Sequence, residues 1–169
     1  MNRLALSFFG AGYIRPAPGT WGSLAALPAA WLIYMAVGPV GLVVGAVLLY
    51  ALGIYVINAE LKGQDDHDPS WVVIDEVVGQ WIALLPVAFG AYRTGISPLL
   101  LWPGIVSAFL LFRLFDIWKP WIIGKIDARG DAIGVMLDDV LAGIFAAIVV
   151  IGLAALIHTG ILGDIPDQE

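Results

Sequence analysis

The chain has 169 residues, of which 60% are hydrophobic and only 13% are charged. A soluble domain usually carries about a quarter charged residues, so much of this protein's surface is expected to face lipid rather than water. The absence of cysteine excludes disulfides and thiol catalysis, and two histidines are too few for a histidine-rich metal site. The net charge of −6 argues against a nucleic-acid partner.

Five apolar segments have about the length that a helix needs to cross a bilayer, which is about 20 residues. In chain order they are Trp21–Val37, Val40–Ala59, Val77–Tyr92, Ser97–Trp118 and Val140–His158. The first is short and contains Pro28, so a re-entrant or tilted helix is its alternative, and Gly38-Pro39 predicts a turn with almost no loop. No repeat or linker divides the chain. We expect one all-α domain over residues 1–169, a polytopic integral membrane bundle of about five transmembrane or membrane-embedded helices.

The distribution of charge predicts the orientation of these segments. Lysine and arginine concentrate in the cytoplasmic loops of membrane proteins. With the N-terminus inside, seven of the eight cationic residues fall on the inner side and only Arg93 falls outside. We therefore expect a cytoplasmic N-terminus. The same orientation places eleven of the fourteen acidic residues on the inner side, so segments far apart in sequence are expected to form a polar site there.

The stretch LFRLFDIWKP, residues 111–120, places Arg113, Asp116 and Lys119 at three-residue intervals, on one side of a helix and near the inner boundary. The two cations could simply extend toward the membrane surface. Asp116 is harder to explain in that way, because an ionisable group costs about 2.5–3.5 kcal/mol at the centre of a membrane.

Two acidic pairs enter apolar segments on the same face. They are Asp75-Glu76 in VVIDEVVGQW and Asp138-Asp139 in GVMLDDVLAG. Either pair alone could cap a helix or complement its dipole. Together with Asp116 they place five acids at one water-poor site, where they would repel one another unless a cation lies between them. Oxygen ligands without cysteine or a histidine cluster select a hard ion, with Mg²⁺ the first choice.

Mg²⁺ held by carboxylates is the usual partner of phosphate chemistry, which gives Arg113 and Lys119 a role in stabilising phosphoryl oxygens. The loop IRPAPGTWGS could offer backbone N–H groups at Gly19, Thr20 and Ser23 to an anion. A tight, capped turn is an equal alternative for that loop.

The loop GQDDHDPSW provides two accessory candidates, His67 and Asp68. Charged runs of this kind are commonly no more than solvated surface, and a single histidine in a polar loop is more often at the surface than catalytic.

Four motifs, in the order PAPGTWGSLAALP, HDPSWVVIDEVVG, LFRLFDIWKPW and GVMLDDVLAG, resemble the bacterial phosphatidylglycerophosphatase A family from about Pro16 to Ala147. The resemblance implies an Mg²⁺-dependent phosphatase of the bacterial inner membrane, which converts phosphatidylglycerophosphate to phosphatidylglycerol in phospholipid biosynthesis. This sequence departs from the family pattern at Asp131-Ala132, where family members commonly carry two glycines, and at Ile122, where a proline is common. The positions to which it assigns function are Pro18, Gly19, Thr20, Gly22, Ser23, His67, Asp68, Asp75, Glu76, Arg113, Asp116, Lys119, Asp138 and Asp139.

The roles expected within this set fall into three groups. Metal ligands are Asp75, Glu76, Asp138 and Asp139; phosphate is bound by Arg113, Lys119, Thr20, Gly19 and Ser23; the catalytic residues are Asp116, Arg113, Lys119 and Asp139. Asp116 is expected either to join the metal ligands or to orient Lys119. Attack by water and an aspartyl-phosphate route both remain open.

The expected partners are the phosphatidylglycerophosphate substrate and membrane lipid, with the oligomeric state left open. Two other classes of protein compete with this reading. A lipid head-group transferase would need an acid where Ala142 stands. An ion or lipid transporter would be expected to distribute its charges through the depth of the membrane rather than at one face.

Overall fold

The structure is a computed structural model that describes residues 2–60 and 69–163, with side chains as far as residue 159. The described residues contain helices and no strand. The six α-helices are α1 (Asn2–Leu6), α2 (Pro18–Glu60), α3 (Ile74–Thr94), α4 (Trp102–Trp118), α5 (Ile122–Asp127) and α6 (Ala132–Gly163). A 3-10 turn at Pro98–Leu101 leads directly into α4. The prediction of an all-α protein is confirmed.

Four helices are long and apolar enough to cross a membrane, namely Pro18–Glu60, Ile74–Thr94, Pro98–Trp118 and Ala132–Thr159. Their outer surfaces expose large apolar side chains, as contact with lipid requires. Aromatic side chains are exposed at both ends of the bundle, Trp118 and Trp121 at one and Tyr92 and Trp102 at the other. Tryptophan and tyrosine favour the two membrane–water interfaces. The predicted membrane helix bundle is therefore confirmed.

The longest helix, α2, is a hairpin of two antiparallel arms. Gly38 has φ 72° and ψ −169°, a backbone conformation that interrupts the helix and that glycine readily adopts. Trp81 of α3 contacts both arms: its indole Nε1 donates to the carbonyl of Ala26 at 3.0 Å, and a Cβ added at Gly45 would lie 3.1 Å from its ring. In a straight helix those two residues would be about 28 Å apart. The two arms match the first two predicted segments, so the chain makes about five crossings.

Helix α3 occupies the centre of the bundle. In its most apolar stretch 67% of the residues are buried, against at most 28% in the other spans. It packs against α2, α4 and α6. Among the four spans, α3 thus has both the lowest hydropathy and the highest burial. A helix that contacts protein on all sides does not have to be compatible with lipid.

Two helix starts lie upstream of the predicted segments. Helix α6 begins at Ala132 rather than Val140, so the acids at 138 and 139 lie inside the helix. Asp131 provides the cap, since its Oδ1 accepts a hydrogen bond from the amide of Gly134 at 2.7 Å. The hydrogen bonds from Arg129 and from this amide lower the pKa of Asp131 to about 2. The cap of α3 is Val73, so Asp75 is not the capping residue.

Helices α3 and α6 approach each other closely at two glycines. A Cβ added at Gly143 would lie 3.0 Å from the carbonyl carbon of Gly79, and one added at Gly79 would lie 2.6 Å from the carbonyl oxygen of Asp139. Small residues allow helix backbones to approach in this way inside membranes. Both helices start at the same end of the bundle, and each glycine follows an acid, Asp75 or Asp139, by four residues. The crossing therefore holds the two acids side by side, one helical turn away.

We expect Gly143→Ala to destabilise the protein by about 1–3 kcal/mol, because the added methyl meets backbone that cannot move aside without separating the helices. The measurement is thermal unfolding in detergent micelles. Gly152→Ala is the control, since it lies on the same helix and no atom of the described residues lies within 4 Å of the added methyl. Equal unfolding temperatures for the two variants would show that the crossing tolerates a side chain.

Candidate active site

A cavity of about 330 Å³ lies at the end of the bundle where α2 and α3 begin and α4 ends. The charged residues of the LFRLFDIWKP stretch and of the two acidic pairs line it together: Asp75, Glu76, Arg113, Asp116, Lys119, Asp138 and Asp139. Residues 17–19, Ser70, Val72 and Ile117 complete the wall. Groups separated by as many as 64 positions in sequence therefore face one enclosed space, as the charge pattern predicted.

Three of the carboxylates form a tight group. Asp75, Glu76 and Asp139 each offer one oxygen, and these oxygens all lie within 4.8 Å of one another. Asp75 is 7% exposed and Asp139 is 3% exposed. The Glu76 Oε2 atom is buried without a hydrogen-bond partner among the described residues. Buried carboxylates so close together require a compensating positive charge, and an all-oxygen ligand set fits a hard divalent cation.

Asp138 has a different environment from Asp139. Its Oδ2 accepts a hydrogen bond from Lys119 Nζ at 2.8 Å, and the same ammonium group contacts Asp127 Oδ1 at 2.5 Å. Burial alone would lower the pKa of Lys119, but the hydrogen bonds to Asp127 and Asp138 outweigh it and raise the pKa above its usual range. Lys119, which directly follows α4, thus links the end of that helix to Asp127 of α5 and to Asp138 of α6. Asp127 had not been singled out from the sequence.

Arg113 and Asp116 form an ion pair one turn apart on α4, with Arg113 Nη1 2.6 Å from Asp116 Oδ2. The same nitrogen donates to Ser23 Oγ at 3.4 Å. Arg113 Nε is buried and has no hydrogen-bond partner within the described ranges. Asp116 therefore orients Arg113 rather than Lys119, and part of the guanidinium remains available to a ligand.

Gly19 lines the cavity together with Ala17 and Pro18 of the same Pro/Gly-rich loop. It lies in the first turn of α2, where backbone N–H groups have no acceptor within the helix. Ser23 lies one turn further on and donates its hydroxyl to the Gly19 carbonyl at 2.9 Å. The amide of Thr20 donates to the carbonyl of Ala17 at 3.0 Å. Of the three predicted phosphate-binding loop residues, Gly19 is the one that lines the cavity, and Ser23 contacts Arg113.

The N-terminal segment holds the chain that leads into α3. The amide of Val73 donates to the carbonyl of Leu6 at 2.8 Å, and the ring of Tyr13 stacks on that of Trp71 with centroids 5.9 Å apart. These contacts lie immediately before the Asp75-Glu76 pair and so position it. The two accessory candidates, His67 and Asp68, lie outside the described residues.

Comparison with known proteins identifies the family of this chain. A family model described as Phosphatidylglycerophosphatase A matches residues 4–154. The chain belongs to the phosphatidylglycerophosphatase A family. Membership in this family makes it a phosphatase. The resemblance in the four motifs is thereby confirmed.

Curated relatives agree with that assignment. Phosphatidylglycerophosphatase A of Haemophilus influenzae is 38% identical over 86% of this chain and 83% of its own length. That of Escherichia coli is 32% identical over 82% and 75%. A Bacteroides thetaiotaomicron protein, provisionally named a phosphatidylinositol-3-phosphatase, is 37% identical over 84% and 86%. No solved structure shows a significant match.

We expect Gly19→Ala to reduce phosphatase activity by at least about tenfold, because a 1 Å displacement of an active-site group can reduce the rate about 100-fold. The added methyl would collide with Glu76 Oε1 and lie 3.1 Å from Arg113 Nη1. Since both are side-chain tips that can move, the unfolding temperature should change little. Gly90→Ala on α3 is the matched control, with no atom within 4 Å of its methyl. Wild-type turnover in the Gly19 variant would contradict this account of the loop.

Proposed function

We propose that the protein hydrolyses the terminal phosphate monoester of phosphatidylglycerophosphate and releases phosphatidylglycerol and inorganic phosphate. The observation that carries the proposal is the cavity at one end of a membrane bundle, where three clustered carboxylates face Arg113. Because the cavity lies at one end of the bundle, a lipid can place its head group there while its acyl chains remain in the bilayer. The names of the Haemophilus influenzae and Escherichia coli relatives support this substrate.

Mg²⁺ is the cation that this site is proposed to hold, through Asp75, Glu76 and Asp139. The buried Glu76 Oε2, which lacks a hydrogen-bond partner among the described residues, supports the fit because a buried carboxylate oxygen needs a partner. When bound, the ion supplies positive charge that offsets the carboxylates and the phosphate oxygens. We assign Asp138 to a different role, since Lys119 already neutralises it.

Arg113 is the proposed phosphate-binding cation. Its guanidinium is fixed on one side by Asp116 and Ser23, which leaves its remaining N–H groups for phosphate oxygens in a geometry that suits them. Because Gly19 has no side chain, the phosphate can approach its backbone beside Arg113. Lys119, which is shared by two carboxylates, contributes mainly by positioning Asp138 and closing the wall.

The site is proposed to face the cytoplasm in the bacterial inner membrane, where it would serve phospholipid biosynthesis. The excess of lysine and arginine on that side supports the orientation.

A phosphatidylinositol 3-phosphate phosphatase is the second candidate, favoured by the name of the Bacteroides thetaiotaomicron relative. Its substrate carries the phosphate on a bulky ring, whereas phosphatidylglycerophosphate carries it on a slim glycerol. A cavity of about 330 Å³ is near the lower end of the usual range for ligand pockets, about 300–1,000 Å³, and favours the slimmer head group.

We expect kcat/KM for phosphatidylglycerophosphate to exceed that for phosphatidylinositol 3-phosphate by at least about tenfold, the discrimination that a modest steric mismatch provides. The measurement is phosphate release from the two lipids in matched mixed micelles, with identical acyl chains on both lipids. A preference for the inositol lipid would assign the protein to the second candidate.

Substitutions in the neighbouring acids should separate the cation-binding residues from their neighbours. We expect Asp139→Asn to raise the Mg²⁺ concentration for half-maximal activity by more than about tenfold, because loss even of an indirect partner weakens metal sites about 10–100-fold. Asp138→Asn should lower kcat with less change in the Mg²⁺ requirement. Asp131→Asn is the control, since it caps α6 away from the cavity. The same Mg²⁺ dependence in wild type and Asp139→Asn would remove that carboxylate from the metal site.

A further inference from the structure

A second cavity, of about 350 Å³, lies deeper in the bundle. Its walls are apolar and aromatic, and they come from the first arm of α2, from Leu42 of the second arm, from α3 and from the beginning of α4. The lining residues include Leu27, Ala30, Trp31 and Tyr34 of the first arm. None of the described residues that line it is charged. The cavity therefore suits a hydrocarbon ligand rather than the head group.

The two cavities are lined by the same three helices. Eight residues separate Gly19 from Leu27 on α2, Glu76 from Leu84 on α3, and Arg113 from Ile105 on α4. In each pair the first residue lines the charged cavity and the second lines the apolar one. Residues eight apart are separated by about 12 Å along the helix axis and rotated by about 80° around it. The apolar cavity therefore lies about 12 Å deeper between the same helices.

Two of the three residues half-way between the two cavities are polar. Ser23, Gln80 and Phe109 lie four residues from Gly19, Glu76 and Arg113, respectively. Ser23 and Gln80 are completely buried, and Phe109 is half-buried. Neither amide atom of Gln80 has a hydrogen-bond partner among the described residues. A buried amide left in this state is unfavourable, so a polar ligand atom at this depth would stabilise it.

The order of layers matches the order of groups in a phospholipid that carries a phosphate monoester. Charged groups lie at the membrane surface, hydrogen-bonding groups lie at the depth of glycerol and ester oxygens, and apolar walls lie below them. The first arm of α2 and helix α4 scarcely contact each other, so the crevice between them can be entered from the lipid. From Gly19 the apolar cavity extends over about 12–22 Å, as far as Tyr34.

We propose that the apolar cavity is an acyl-chain site, in which one chain of the lipid substrate lies while its phosphate occupies the charged cavity. The proposal rests on the proposed function for the identity of the head group. The chain runs along the crevice between α2 and α4, past Phe109. The cavity makes the enzyme selective for long-chain lipids over short-chain phosphates, because each buried methylene improves binding about fourfold.

The first test fills the cavity and compares two substrates. Ala30→Leu and Ala88→Leu each place a larger side chain at a buried lining position, on different helices. Ala51→Leu is the matched control, because Ala51 is exposed on the second arm and does not line the cavity. Loss of two methylene contacts should reduce kcat/KM for dioleoyl phosphatidylglycerophosphate by about tenfold or more. Turnover of the dihexanoyl lipid should stay within about twofold, which also shows that the variants fold and keep the charged site.

The second test does not depend on catalysis. Phosphatidic acid and phosphatidylcholine, each with a diazirine at the end of one acyl chain, are photolysed with the wild-type protein in nanodiscs, and the labelled peptides are mapped. Phosphatidic acid should label the peptide containing Leu27 and Trp31 several-fold more than phosphatidylcholine, and Arg113→Ala should abolish the difference.

The outcomes separate this proposal from the proposed function. Equal labelling by the two lipids would show that the cavity holds ordinary membrane lipid, and equal effects of the fillings on both substrates would show that it only supports the fold. Either result overturns the acyl-chain site while phosphate release still supports the phosphatase. Selective labelling without release of phosphate from phosphatidylglycerophosphate would keep the acyl-chain site and overturn the proposed substrate.

Discussion

The close crossing of α3 and α6 at Gly79 and Gly143 is the constraint on which the site depends. It brings two backbones into contact and so places Asp75 and Asp139, each one turn nearer the membrane surface, on facing sides of one space. Ionised carboxylates repel each other strongly in a medium of low dielectric. The contact between the two helices therefore has to oppose this repulsion. The helix contact supplies that force over many apolar atoms, while the charges occupy only the last turns.

The other charged groups are arranged around this crossing by shorter connections. Lys119 joins the end of α4 to the start of α6, and Arg113 is held by Asp116 on its own helix and by Ser23 on α2. Each cation therefore links two helices as well as facing the cavity. Cations placed in this way keep their orientation before a ligand arrives, which lowers the free energy needed to organise the site when it binds.

Much of this architecture could be predicted from the sequence, and the part that could not has a physical explanation. Apolar length predicted the crossings, and the position of acids at one face predicted that they converge. The sequence did not indicate which acid faces which partner, because Asp138 and Asp139 are neighbours that point 100° apart on a helix. The sequence pattern places the start of α6 too late, because Asp131, which caps the helix, stands where family members commonly carry a glycine. The crossing does have a signal in the sequence, since Asp75 and Asp139 are each followed four residues later by glycine.

The hairpin at Gly38 and the short link between α3 and α4 make the bundle strongly asymmetric. On that side the described connections are no longer than a few residues, whereas the opposite side carries the N-terminal segment, the chain before α3 and all of α5. Almost none of the described polypeptide projects into the aqueous phase at the end where Gly38 lies. A protease, an antibody or a regulatory protein would therefore find most of the accessible part of the described polypeptide on a single side of the bilayer, close to the charged cavity.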